Sequence, residues 1–332
     1  MWPFGGLFAG AFTGPDPDTL TIEKAFVSAD GTLYGPVGWF ASRITAGHVR
    51  VNFGKDCTAA GTAVWCWYHS GTSVPSNEGH VASLSHSVLT SQFVDVYIRR
   101  CSDGAQTEVG GFYIYFATGT AATVKRGIVS GSTGLFTGIF GTPSGWSSSR
   151  TGTGTYVITT NETTNLTPFA AECAFTVQAY GNASNGTGVC WTPATTNTNA
   201  EVETHRTLDG APNDRDHLAV WIDTTALSAP VAGAQINGAS FIGGQPAGWS
   251  STKLGTGLYD VNIAQGNQPK LPPVQDGLAI MCAGETGFTT GAGVMPQFDG
   301  GPQVLFEAFR FLDHGPSDYD IFVTTIEGNA PS

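Results

Sequence analysis

The sequence is poor in charge, in methionine and in cysteine, and it has no long hydrophobic run. Only 12% of its 332 residues are charged, with 14 Lys and Arg against 26 Asp and Glu, for a formal net charge of −12. The cations are scattered. That excludes a basic face for nucleic acid, because phosphate recognition needs clustered Lys and Arg. No apolar stretch reaches the roughly 18 residues of a membrane-spanning helix. No long stretch places apolar residues at 3.6-residue spacing, so helices are not expected.

The six cysteines are Cys57, Cys66, Cys101, Cys173, Cys190 and Cys282. They are divided unevenly along the chain and do not form a repeating disulfide framework. Cys66, Cys173 and Cys282 sit in apolar runs and read as small buried hydrophobes. Reduced thiols and assembly in a reducing compartment follow, with Cys173 and Cys190 left as a pair that could bridge locally. Common catalytic signatures are missing too. There is no Gly-x-Ser-x-Gly elbow and no phosphate-cradling Gly loop ending in Lys. The seven His residues show no metal spacing, and His80 and His86 are read as part of a polar loop. No cofactor, metal site or catalytic group is expected.

What the chain does have is glycine, 45 residues of it, and a phrase stated three times. Gly145-Trp146-Ser-Ser-Ser-Arg150-Thr-Gly-Thr-Gly154-Thr-Tyr156 returns as Gly248-Trp249-Ser-Ser-Thr-Lys253-Leu-Gly-Thr-Gly257-Leu-Tyr259. A diverged copy reads Gly38-Trp39-Phe-Ala-Ser-Arg43-Ile-Thr-Ala-Gly47-His-Val49. In each copy a cation stands four residues after the Trp, a Gly eight after and a large apolar residue ten after. A second landmark follows each phrase: Arg100 with Asp103, Arg206 with Asp209, and Arg310 with Asp313. A Cys lies 27 residues after Trp39 and after Trp146, whereas Cys282 lies 33 after Trp249. The copies are spaced by about 100 residues, an ordinary domain length.

Within each copy, apolar residues alternate after the Gly, as in Tyr156 and Ile158 or Tyr259, Val261 and Ile263. Period two with one buried face predicts a strand. The Thr151-to-Gly154 segment predicts a hairpin loop with Gly at positive φ. The expected fold class is therefore all-β: three tandem antiparallel β-sandwich domains behind an extended N-terminal tail. The expected boundaries are a tail over 1–20 and repeats over 21–119, 120–227 and 228–332. Short, small-residue joins predict a rod of stacked modules. Trp39, Trp146 and Trp249 are expected to plug the three cores at equivalent positions.

The Gly-Trp-Ser-x-x-Arg-Thr-Gly-Thr-Gly-x-Tyr phrase resembles hairpin modules of bacteriophage fibre and other virion proteins. The likeness covers the second and third repeats well and the first loosely, where Arg43-Ile-Thr-Ala-Gly47-His replaces the hairpin. It implies a non-enzymatic virion surface protein, assembled in the host cytoplasm, that oligomerises or contacts a host. A carbohydrate-binding array is the alternative function, and a glycan hydrolase the second alternative.

Candidate contact residues fall in two places. Trp2, Phe4, Leu7, Phe8 and Phe12 give the tail an apolar face, which either docks on the chain's own first repeat or anchors in other virion proteins. Trp65 and Trp67 should share the outer face of a strand whose Cys66 points inward. Such a pair reads as an interface, a host-glycan contact, or a surface covered by a local loop. The three Arg-x-x-Asp pairs read as turn locks, surface ion pairs of small net worth. Glu201 and Glu203 share a strand face and read as solvated acids, with a glycosidase pair as the sharper alternative.

Overall fold

The computed structural model describes residues 20–69, 79–86, 91–163, 165–166, 172–182, 186–193, 198–227, 231–237, 240–263, 278–284, 286, 291–298 and 303–327. The tail residues Trp2, Phe4, Leu7, Phe8 and Phe12 lie outside them. The chain is all-β and builds six four-stranded antiparallel sheets.

The first repeat contributes β1 (Thr21–Ser28), β2 (Leu33–Tyr34), β3 (Phe40–Thr45), β4 (His48–Asn52), β5 (Thr62–His69), β6 (His80–His86), β7 (Phe93–Arg100) and β8 (Gly111–Thr118). The second contributes β9 (Val124–Val129), β10 (Phe136–Thr137), β11 (Ser147–Gly152), β12 (Thr155–Thr159), β13 (Cys173–Ala179), β14 (Thr187–Pro193), β15 (Asn199–Arg206) and β16 (His217–Asp223). The third contributes β17 (Val231–Asn237), β18 (Ser240–Ile242), β19 (Ser250–Gly255), β20 (Leu258–Asn262), β21 (Leu278–Gly284), β22 (Ala292–Phe298), β23 (Gln303–Arg310) and β24 (Ile321–Glu327).

One topology occurs three times. Strands two, one, eight and five of each repeat form one sheet, and strands three, four, seven and six form the other. Among the described residues, no sheet mixes strands of two repeats. The register makes Trp39, Trp146 and Trp249 equivalent, because the residue after each begins the third strand opposite Asn52, Thr159 and Asn262. All three indoles are buried. Trp39 packs edge-on against Phe53 and Phe116 and Trp249 against Phe241, while Trp146 packs at a tilt against Phe136 and Phe175.

The glycine landmarks have a double reason to be glycine. Gly47, Gly154 and Gly257 take φ of 61°, 68° and 66°, a region that costs any residue with a Cβ. A Cβ on Gly154 would also stand 2.5 Å from the Thr204 carbonyl oxygen and 2.8 Å from the Asn213 nitrogen. The close approach has a use. Each glycine carbonyl accepts from the seventh strand, from Ile98, Thr204 and Ala308 at 2.8, 2.8 and 2.7 Å.

The modules do not stack as a rod. The sixth strand of each repeat packs on the fifth strand of another: β6 on β13, β14 on β21, and β22 on β5. These head-to-tail contacts close a three-membered ring, and β6, β14 and β22 also meet one another at its centre. The fifth and sixth strands are edges of their sheets. Open edges invite foreign pairing, and the ring buries them. One apolar cluster consequently runs through residues of all three repeats, including Trp65, Val220 and Met281. The joins permit the ring because a short connection restricts reach without dictating direction.

Candidate functional site

The chemistry-bearing side chains converge where the repeats meet. Cys66 faces the interior of its own sandwich opposite Ile114, so Trp65 and Trp67 face out of it. They do not reach solvent as a pair. Trp65 is 0% exposed and stacks on Tyr115 at 5.1 Å. Both indole N–H groups donate to the carbonyl of Ile280 in the third repeat, at 3.1 and 2.8 Å. Both indoles thus bond to another repeat of the same chain.

The other two contacts are equally polar. Between the first and second repeats, Cys66 N donates to Gln178 Oε1 at 3.0 Å. Arg126 donates to Thr62 Oγ1 at 2.6 Å and to the Ala59 carbonyl at 2.9 Å, with Phe140 4.0 Å from its guanidinium carbon. Burial lowers the Arg126 pKa to about 10. His86, T-shaped against Phe140, is held neutral, its pKa driven down to about 3 by burial and by nearby Arg126. Between the second and third repeats, Thr176 Oγ1 donates to the Cys282 carbonyl at 3.5 Å and Trp191 stacks on Phe322 at 5.4 Å. A cavity of about 50 Å³ is lined by residues of all three repeats, among them Trp67, Gln178 and Phe311.

His80 and His86 are not in a polar loop. They begin and end β6, and both are buried. No disulfide joins any of the six cysteines, Cys173 and Cys190 included, and all six are buried. Burial pushes the Cys57 thiol up to about 12 and raises Cys66, Cys101 and Cys282 further. The register corrects one equivalence. Cys66 lies opposite Ile114 and Cys282 opposite Val323, matching positions, whereas Cys173 lies opposite Asp223 at the position of Thr62. The shared 27-residue interval is a coincidence of unequal loops.

The surface landmarks hold turns. Arg100–Asp103, Arg206–Asp209 and Arg310–Asp313 are exposed ion pairs. Each acid also accepts a backbone N–H two residues on, from Ala105, Ala211 and Gly315. The turn residue after the acid has positive φ in each case: Gly104, Gly210 and, exceptionally, His314 at 58°. His314 is held there by its Nε2, 2.8 Å from the Thr207 carbonyl of the second repeat. The hairpin cations have partners that the phrase alone did not reveal. Arg43 pairs with Glu108, Arg150 with Asp214 at 2.7 Å, and Lys253 with Asp318 at 2.5 Å. Asp214 and Asp318 also accept the N–H of Gly154 and Gly257, at 2.8 and 2.9 Å. A constant interval betrays these acids, since each stands five residues after the Asp of the Arg-x-x-Asp pair.

One constellation belongs to a single repeat. Cys190 lies directly opposite Glu203 across β14 and β15, and His205 follows Glu203 two residues on, on the same face. Their ligand atoms all lie within 4.8 Å of one another. His205 Nε2 is 3.2 Å and Cys190 Sγ 3.9 Å from Glu203 Oε2, and His205 Nδ1 is 2.9 Å from the Gly210 carbonyl oxygen. The matching positions hold Ser83, Tyr97 and Arg99 in the first repeat and Met295, Glu307 and Phe309 in the third. Glu201 shares the face of Glu203 but is exposed. Sequence spacing could not show this group, because strand pairing creates it. Among the described residues, no helix is long and apolar enough to cross a membrane. No family model, no curated protein and no solved structure matches the chain.

Proposed function

We propose that the protein is a non-enzymatic structural component of a bacteriophage particle, a fibre or surface decoration that docks through its N-terminal tail. The observation that carries the reading is the head-to-tail ring of three like sandwiches, β6 on β13, β14 on β21 and β22 on β5. Such a ring gives one chain an approximate threefold axis. A threefold block suits the threefold or quasi-threefold positions that closed particles and fibres present. The polar groups of the junctions are directed inward, toward other repeats, as in a rigid building block. The virion-like hairpin phrase agrees with it, and the packing that a homotrimer would need is made within the chain.

In this reading Trp2, Phe4, Leu7, Phe8 and Phe12 anchor in a neighbouring virion protein. Their apolar area gains about 25 cal/mol per Å² only when buried. The test deletes residues 2–12 and measures occupancy in purified particles by quantitative mass spectrometry, with thermal stability of the free chain as the control. Loss of occupancy at unchanged stability is expected. Normal occupancy overturns tail docking. Binding to a glycan array would favour the carbohydrate-binding alternative, and glycan cleavage the hydrolase.

A further inference from the structure

We infer that Cys190, Glu203 and His205 form a binding site for a zinc-class divalent cation, unique to the second repeat. The inference is independent of the role proposed for the whole chain.

Hydrogen bonding fixes the imidazole. The Gly210 carbonyl can only accept, so the His205 nitrogen beside it, Nδ1 at 2.9 Å, carries the proton of that bond. The other ring nitrogen, Nε2, points at a carboxylate oxygen 3.2 Å away, a separation that a proton or a metal ion can bridge. A histidine whose far nitrogen is fixed by a backbone carbonyl is the usual arrangement of a metal-ligating imidazole.

The ligand atoms stand close to metal-binding distances. Tetrahedral zinc with bonds of about 2.0 Å to nitrogen and oxygen and about 2.3 Å to sulfur separates its N and O ligands by about 3.3 Å and its S and O ligands by about 3.5 Å. The observed separations are 3.2 Å for His205 Nε2 to Glu203 Oε2 and 3.9 Å for Cys190 Sγ to the same oxygen. The remaining pair, Cys190 and His205, lies within 4.8 Å, so the polyhedron closes by an inward turn of the thiol of about 1 Å.

Charge and softness also match a zinc-class ion. A thiolate, a carboxylate and an imidazole neutralise a dication, which allows the burial observed here. Cys190 is 0% and His205 2% exposed, while the Glu203 side chain, at 21%, leaves a way in. A mixed S, N, O set selects zinc-like ions over magnesium or calcium. Binding converts the Cys190 thiol to a thiolate–metal bond and releases its proton to solvent. Three protein ligands leave a fourth position for water. The ion would also brace a junction between repeats, since Phe311 of the third repeat packs on the His205 ring at 6.1 Å.

The experiment uses the untagged full chain, stripped with chelator and titrated with Zn²⁺ and with Co²⁺. One equivalent of Zn²⁺ per chain is expected, together with an intense near-ultraviolet sulfur-to-cobalt band. Cys190→Ser should abolish that band, and Glu203→Gln should weaken Zn²⁺ binding by at least about tenfold. Glu201→Gln, exposed on the same face, should leave it unchanged. Substoichiometric zinc overturns the proposal and leaves a shared proton as the bridge. So does a cobalt band that survives Cys190→Ser, or equal weakening by Glu201→Gln. If Cys190→Ser fails to fold, Glu203→Gln decides, and unchanged affinity there refutes the site.

Discussion

Replacing Trp65 with Ala separates a closed ring from three independent beads. In a free first repeat, Trp65 would stand on the outer face of a sheet, and its truncation would change stability by no more than about 0.5 kcal/mol. In the ring it is 0% exposed, stacked on Tyr115 at 5.1 Å and bonded to the Ile280 carbonyl at 3.1 Å. Truncating a buried Trp to Ala costs about 3–5 kcal/mol through lost burial and the cavity left behind. The hydrogen-bond contribution is small, because Ile280 keeps a second donor in Trp67 at 2.8 Å and its oxygen is not orphaned. The expected loss is therefore about 3–4 kcal/mol, a large share of the stability of an ordinary domain. Guanidinium unfolding followed by far-ultraviolet circular dichroism measures it without relying on indole fluorescence. Leu254→Ser, at a residue 57% exposed, is the control and should stay near zero. Amide exchange should also quicken around Ile280 in the third repeat. A Trp65→Ala loss below about 1 kcal/mol, with unchanged exchange in β21, refutes the ring.

Gly154→Ala combines a positive φ with a Cβ 2.5 Å from the Thr204 carbonyl oxygen, and should cost at least about 1–3 kcal/mol; a cost equal to that of an exposed loop glycine would refute the close approach. Glu307 is buried, and burial raises its pKa from 4.5 to about 7. The folded chain therefore holds a proton that the unfolded chain has lost between those values, so this group lowers stability as pH rises from about 4.5 to 7 and its cost is constant above. Glu307→Gln should gain up to about 3 kcal/mol at pH 8 and almost nothing at pH 4. Unfolding free energies of the two proteins across that range provide the check, and a pH-independent difference refutes the assignment.

Much of the architecture was legible because it rests on local rules. Alternating apolar residues after Gly154 and Gly257 specify strands, and glycine at a fixed place specifies the hairpin between them. The Trp positions were readable because the phrase keeps their spacing to the glycines constant. Arg100–Asp103 and its two counterparts were readable because the partners are three residues apart. The cation–acid pairs Arg150–Asp214 and Lys253–Asp318 could have been found from the constant interval between the acids and the preceding Asp-Gly or Asp-His-Gly turn. Cysteine equivalence was not readable by counting, because the loops before β5, β13 and β21 differ in length and only strand register aligns Cys66 with Cys282.

The sequence by itself determined the all-β class, the repeat and its turns, since each depends on residues close together in the chain and on the backbone freedom of glycine. Only the tertiary structure decided that the repeats close into a ring, that Trp65 and Trp67 serve a contact within the chain, and that Cys190 meets Glu203 and His205. Those outcomes depend on which sheet edge and face meets which, and on cross-strand register. The physical reason is that burial and cross-strand contact are properties of surfaces and strands that only folding brings together, and local periodicity shows which face is apolar without showing what will cover it.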